Sequence, residues 1–263
     1  MEENKKEFDS LDINDEKVKD DLSYDESDFT EGEIIIENAR KNVFKEIYEW
    51  VSSVAWAVVL ALIINTFLIS LVQVDGSSMV PTLHHGERLI VRKIAYTPKN
   101  SDVVIVKSEP LKKHIVKRVI AMPDQEISFD AERNVLVDGV AIDEPYIESK
   151  QVSYGALYRY PVTVPKKSEI ASIDILLAEQ ATMPESVSIE MVDGKIHIKG
   201  SSFVEDGEFI AGETKYSQNG YFVLGDNRNN SSDSRVFGIV PEDEIIGKAV
   251  FRFLPISEIG LIK

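Results

Sequence analysis

The sequence predicts a mainly β protein: a coiled sheet or barrel-like domain with an inserted subdomain, preceded by one transmembrane helix and a disordered acidic tail. Three observations predict it. Residues 1–38 are acidic and aperiodic, the stretch from Trp50 to Val74 carries no formal charge, and beyond Asp75 short β-branched runs alternate with turn signals.

Much of the net charge of −16 lies in the first segment, which holds Glu2, Glu3, Asp9, Asp12, Asp15, Glu16, Asp20, Asp21, Asp25 and Glu26. Such a composition buries too little to offset its ordering entropy, so residues 1–38 are expected to be a disordered tail. Residues 39–49 (ARKNVFKEIYE) have helical character and form a juxtamembrane segment. Residues 50–74 (WVSSVAWAVVLALIINTFLISLVQV) follow, and roughly 20 apolar residues suffice to cross a bilayer core. A buried globular helix of this length would show a polar face. A cleavable secretory signal has a shorter apolar run nearer the N-terminus. The segment is therefore expected to be an anchor. Arg40, Lys41 and Lys45 precede it and Asp75 is the first charge after it, so the positive-inside rule puts the tail in the cytoplasm and the rest outside.

The β elements follow in order: ERLIVRKIAY, SDVVIVKS, KHIVKRVIAM, EISFD, NVLVDGVAI, SIEMVDGKIHIKG, GYFVLGD and IIGKAVFRFL. The Asp-Gly pairs at 138–139 and 193–194 mark hairpins. Residues 75–142 and 217–263 are read as two parts of one core. Between 143 and 216 the pattern loosens around a helix-like patch, SEIASIDILLAEQ, and an inserted subdomain or cap is expected there.

Cysteine is absent, which excludes disulfides, thiolate chemistry and cysteine-rich zinc sites. His84, His85, His114 and His197 show no paired-ligand spacing, so no metal and no cofactor is expected.

Three stretches carry candidate chemistry. In VDGSSMVPTL (Val74–Leu83), a small-residue turn lets backbone amides approach a substrate carbonyl beside the Ser78 hydroxyl. Alone, Ser78 would be an ordinary turn serine; as a nucleophile it needs a base. In KHIVKRVIAMP, strand alternation sets Lys117 between Ile115 and Val119 on one face. Alone, Lys112, Lys113, Lys117 and Arg118 would read as a solvated basic face; a desolvated Lys117 would instead have the lowered pKa a base requires. Arg118 stays protonated and cannot take that part. The third stretch, GDNRNNSSDSR (Gly225–Arg235), is a polar loop between apolar strands. It could also be an Asx-rich turn or a Ca²⁺ loop, but it lacks the EF-hand spacing and the terminal Glu.

Together the three stretches resemble, in order and spacing, the boxes of bacterial type I signal peptidases, a serine–lysine family. The pattern G-x-S-M-x-P-T-L matches Gly76, Ser78, Met79, Pro81, Thr82 and Leu83, and K-R-V-x-x-x-P matches Lys117, Arg118, Val119 and Pro123. G-D-N-R-x-x-S-x-D-S-R is complete from Gly225 to Arg235, and D-E-P-Y stands at 143–146. Asp124-Gln125 replaces the usual Gly-Asp, and Ser101 stands where G-D-[IV]-V has glycine.

The resemblance implies a membrane-bound serine endopeptidase that removes signal peptides, with Ser78 as nucleophile and Lys117 as general base. It implies Ser231 as a hydroxyl that orients the base, Asp233 and Arg235 as a structural ion pair, and Gly225 and Asp226 as holders of the loop. The oxyanion donors would be the Ser78 amide and a group near Gly76. Val74, Met79, Leu83 and Val116 would line shallow substrate pockets. Partners would be signal-peptide-bearing precursors and the lipid bilayer. The place would be the bacterial cell membrane, single-pass, with a cytoplasmic N-terminus and an extracytoplasmic catalytic domain. Two other readings keep parts of this pattern: a catalytically silent membrane scaffold of the same fold, and a self-cleaving repressor-type serine–lysine peptidase. An acidic N-terminus and an apolar span in place of a basic helix-turn-helix argue against the second and against nucleic acid as a partner.

Overall fold

The computed structural model describes residues 26–64, 68–94, 96–150, 160–209 and 213–262. The chain divides into a helical unit ending at Leu62 and a second unit from Ile63 to Lys263.

Helix α1 (Glu26–Ile63) makes up the described part of the first unit. Its Asn42–Ile63 portion, 22 residues of mean hydropathy 1.5, is long and apolar enough to cross a membrane. Trp50, Trp56, Leu60 and Leu62 all present exposed side chains there.

Two boundaries differ from the sequence reading. Of the expected tail, residues 1–25 lie outside the described residues, and 26–38 belong to the helix. At the other end, the span expected to reach residue 74 stops at Ile63, because strand β1 (Ile69–Gln73) belongs to the second unit. It pairs antiparallel with β2 (Arg88–Arg92), Ile69 opposite Arg92 and Gln73 opposite Arg88. Absence of charge does not distinguish an apolar helix from an apolar strand; the partner strand decides.

The strands expected after Asp75 all form. Besides β2 they are β3 (Val103–Ser108), β4 (Lys113–Ala121), β5 (Glu126–Phe129), β6 (Val135–Val137), β7 (Val140–Ala141), β9 (Ser188–Val192), β10 (Lys195–Lys199), β12 (Gly220–Leu224) and β14 (Ile245–Leu254); β8 (Val162–Thr163), β11 (Gly207–Phe209), β13 (Val240–Pro241) and β15 (Gly260–Leu261) form outside those runs. The helix-like patch becomes α2 (Ile173–Thr182). Both Asp-Gly pairs close hairpins with positive φ at each residue, 52° and 76° at Asp138-Gly139 and 49° and 77° at Asp193-Gly194. That geometry matches the right-handed twist of the flanking strands.

The main sheet has eight strands in the order β1-β2-β14-β3-β4-β12-β13, with β15 added on β14. Its β4 is buried on both faces from Ile115 onward, not on one only. Ile115 and Val119 pack with Val104, Val106, Tyr221 and Val223, while Val116 joins Val74, Met79, Leu83, Leu89 and Val103 in a second cluster.

Beyond β4 the chain leaves the main sheet. Strands β7-β6-β5-β8 form one sheet and β11-β10-β9 another. With α2 they enclose a core of Ile127, Val135, Val164, Leu176, Phe203 and Phe222. The subdomain expected at 143–216 therefore shares its sheet with residues 126–141. Local pattern placed the boundary too late because β5 and β6 read like any other half-buried strands; β5 finds its second partner only at β8, Ile127 opposite Val162.

Candidate active site

Register brings the first two candidates together. β4 pairs with β3, Val104 opposite Lys117, and with β12, Leu224 opposite Arg118. Successive side chains of a strand leave on opposite faces, so Lys117 and Arg118 serve separate networks.

Lys117 is 3 % exposed. Its Nζ lies 2.8 Å from Ser78 Oγ and donates to the Val116 carbonyl at 2.9 Å. Burial pulls its pKa down to about 8; Asp233 and Asp226 oppose the shift, while Lys113 and Arg235 reinforce it. A neutral amine keeps two N–H groups and one lone pair. One N–H satisfies Val116, and the lone pair is free to accept the Ser78 proton. A fall in pKa from 10.5 to about 8 raises the neutral fraction at pH 7 about 300-fold.

Arg118, on the other face, donates to Asp226 through Nε at 2.9 Å and through a second nitrogen at 2.7 Å. Thr82 Oγ1 donates to the same carboxylate at 2.5 Å, and the guanidinium stands 3.9 Å from the centre of the Tyr146 ring. This fork–fork pair is sealed from water and joins the nucleophile segment, the lysine strand and the polar loop at one point.

The polar loop grips Ser78 from its main chain. Asn227 N–H donates to the Ser78 carbonyl at 2.9 Å, Asn227 Nδ2 to the Ser77 carbonyl at 3.2 Å, and Asn230 Nδ2 to Ser77 Oγ at 2.9 Å. Gly225 sits where a Cβ would come within 2.2 Å of Ser231 Oγ and 2.6 Å of the Ser78 carbonyl oxygen, so only glycine lets these segments meet. Asp233 accepts from Gly225 N–H at 3.1 Å and from Arg235 at 2.8 and 2.7 Å, which forms the expected ion pair.

Three expectations are corrected. Ser231 Oγ is buried beside Gly225 with no hydrogen-bond partner among the described residues, so it makes no bond to Lys117. Gly76 N–H donates to His85 Nδ1 at 3.2 Å and is not directed at a substrate position; the Ser78 amide has no acceptor among the described residues. Val74, Met79, Leu83 and Val116 do gather in one cluster, but at 3, 1, 1 and 9 % exposure they form a packed floor and not open pocket walls.

Sequence reasoning missed the Glu144–Arg228 pair. Both Arg228 NH groups donate to the Glu144 carboxylate, Arg228 Nε donates to the Gly225 carbonyl at 3.1 Å, and Tyr146 O–H donates to Glu144 at 3.2 Å. The D-E-P-Y string was the available signal, but a pairing across 84 residues leaves no local trace. Two substitutions in otherwise matching boxes are absorbed: Ser101 and Asp124 stand where glycine is usual and hold φ of 68° and 73°. Asp124 is tied there by Lys166 at 2.7 Å. Near the nucleophile segment, His84, Glu87 and Glu258 converge, but Arg252 donates to Glu87 at 2.8 Å and lies 3.1 Å from Glu258, making an ion-pair network and not a ligand set.

A serine hydroxyl held against a buried lysine on a mainly β scaffold is the setting of a serine hydrolase. The family model described as signal peptidase, peptidase S26, matches residues 47–254. The chain is 32% identical to signal peptidase I T of Bacillus subtilis over 219 residues, 82% of this chain and 89% of that protein. It is 30% identical to signal peptidase IB of Staphylococcus aureus over 217 residues, 81% and 93% of the two chains. A solved signal peptidase I from Enterococcus faecalis aligns over 58% of this chain and 97% of that one, at 23% identity and a TM-score of 0.31. The chain belongs to the S26 signal peptidase family.

Proposed function

We propose that this chain is a membrane-anchored serine endopeptidase that removes signal peptides from exported precursors, with Ser78 as nucleophile and Lys117 as general base. The observation that carries the reading is the 2.8 Å approach of Nζ to Oγ at a lysine whose burial brings its pKa to about 8.

Neutral Lys117 takes the Ser78 proton as Oγ attacks the scissile carbonyl. The Ser78 amide, which has no internal acceptor among the described residues, donates to the oxyanion that forms. The Lys117 ammonium then protonates the departing amine, leaving an acyl-enzyme. Lys117, neutral again, takes a proton from water as it attacks the ester, and its ammonium returns that proton to Ser78 Oγ as the ester C–O bond breaks. Asn227, through the Ser78 carbonyl, fixes the nucleophile's backbone, while Asp233 and Arg235 shape the loop behind it. Ser231 fills the space beside Gly225. Small substrate residues before the cut would rest over the floor of Val74, Met79, Leu83 and Val116, of which Val116 is the most exposed.

Helix α1 supplies the anchor, with the N-terminus cytoplasmic, as Arg40, Lys41 and Lys45 on that side favour, and the catalytic unit outside. Anchoring enzyme and precursor in one bilayer raises their effective concentration. The test is precursor processing by purified Ser78→Ala and Lys117→Ala chains. Each is expected to lose cleavage; full activity in either ends the serine–lysine assignment.

A further inference from the structure

The turn that carries the nucleophile is held from two sides, and only one of them belongs to the polar loop. On the C-terminal side, Asn227 and Asn230 bind Ser77 and Ser78. On the N-terminal side the chain runs against residues 85–87. Val74 N–H donates to the Glu87 carbonyl at 2.8 Å, Gly86 N–H donates to the Val74 carbonyl at 2.9 Å, and Gly76 N–H donates to His85 Nδ1 at 3.2 Å. The last of these is the clamp nearest Ser78. It is made by a side chain because Gly76, at φ of 94°, turns its amide out of the backbone pairing.

We propose that His85 is a positioning residue for the nucleophile turn, active only as the neutral imidazole and released by protonation. Nδ1 accepts from Gly76 N–H only when it carries no proton. The same atom lies 3.4 Å from Asp75 Oδ1. Once protonated, Nδ1–H becomes a donor, turns to the Asp75 carboxylate and can no longer accept from Gly76. One atom thus has two exclusive partners, and its proton selects between them. Asp75 is the charged group facing Nδ1. On its own loop, His84 is directed to Glu87 at 3.5 Å, and Glu87 is held by Arg252. The His85 side chain is 69% exposed, so it exchanges protons freely with solvent.

The consequence for catalysis follows from distance along the chain. Gly76 is two residues before Ser78, whose amide is the proposed oxyanion donor. Loss of the clamp loosens that amide's placement without touching Lys117. The inference rests on the serine–lysine reading and adds a positioning residue to it.

The experiment uses the full chain in detergent and a peptide substrate free of titrating side chains, with kcat/KM measured from pH 5.5 to 7.5. His85→Ala is expected to be about 3- to 10-fold slower than wild type at pH 7.5, the range expected for one lost hydrogen bond. His85→Asn, which offers an oxygen at the Nδ1 position and does not titrate, is expected to restore most of that loss. The ratio of wild type to the Asn variant should fall severalfold between pH 7.5 and pH 5.5. The ratio cancels the Lys117 limb, which both proteins share. An Ala variant as fast as wild type, an Asn variant as slow as Ala, or a ratio that does not move with pH would each overturn the proposal. Those outcomes leave the dyad standing; the dyad itself fails if Ser78→Ala or Lys117→Ala still cleaves.

Discussion

Replacing Lys117 by methionine should abolish cleavage and, at neutral pH, make the protein more stable. The folded state holds the lysine 3 % exposed, and burial lowers its pKa from 10.5 to about 8. At about 1.4 kcal/mol per pH unit this corresponds to about 3 kcal/mol that the fold forfeits in carrying an ammonium there. Methionine has a similar unbranched reach and no charge to desolvate. It forgoes the hydrogen bond to Val116 and the contact with Ser78, together worth about 1–2 kcal/mol. The net expectation at pH 7 is a gain of about 1–2 kcal/mol. The sign of the pH dependence is fixed. The unfolded lysine binds its proton below 10.5 and the folded one below about 8, so the unfolded state holds more protons between these values. The penalty is complete below pH 8, shrinks as pH rises, and is gone above 10.5. The advantage of Lys117→Met should therefore be greatest at pH 7 and vanish or reverse by pH 10.5. Denaturant unfolding of both proteins in detergent at pH 7 and pH 10 measures it. A methionine variant less stable than wild type at pH 7, or a difference that does not change with pH, would refute the argument that burial is what tunes the base.

Two further outcomes follow from the same geometry. Asp226→Ala leaves the buried Arg118 without its counter-charge and Thr82 without its acceptor, and should lower unfolding free energy by about 3–5 kcal/mol in the same denaturant assay. Gly225→Ala sets a methyl against Ser231 and the Ser78 carbonyl, and should slow single-turnover precursor cleavage by about 100-fold through displacement of the nucleophile.

Much of the fold was legible in the sequence because its signals are local. Alternation placed the strands after Asp75, and the Asp-Gly pairs placed both hairpins. The end of α1 was not legible, since residues 69–73 are as apolar as the helix before them and become a strand only because Arg88–Arg92 is there to pair with. The root of the subdomain was missed for the same reason: β5 pairs with β8, Ile127 opposite Val162, far apart in sequence.

At the site, the sequence marked which residues are proposed to carry the chemistry. Resemblance to the signal peptidase boxes pointed to Ser78 and Lys117, and alternation separated Lys117 from Arg118. Tertiary structure decided what those residues experience. The 2.8 Å approach of Nζ to Oγ spans 39 residues, the Arg118–Asp226 pair 108 and the Arg228–Glu144 pair 84. Ser231 turned out to fill space without bonding the base, and Gly76 to lean on His85. Side-chain chemistry is written residue by residue, whereas burial, counter-charge and hydrogen-bond partners exist only once distant strands lie side by side. For this reason the identity of the lysine could be read from its strand, but its pKa could not.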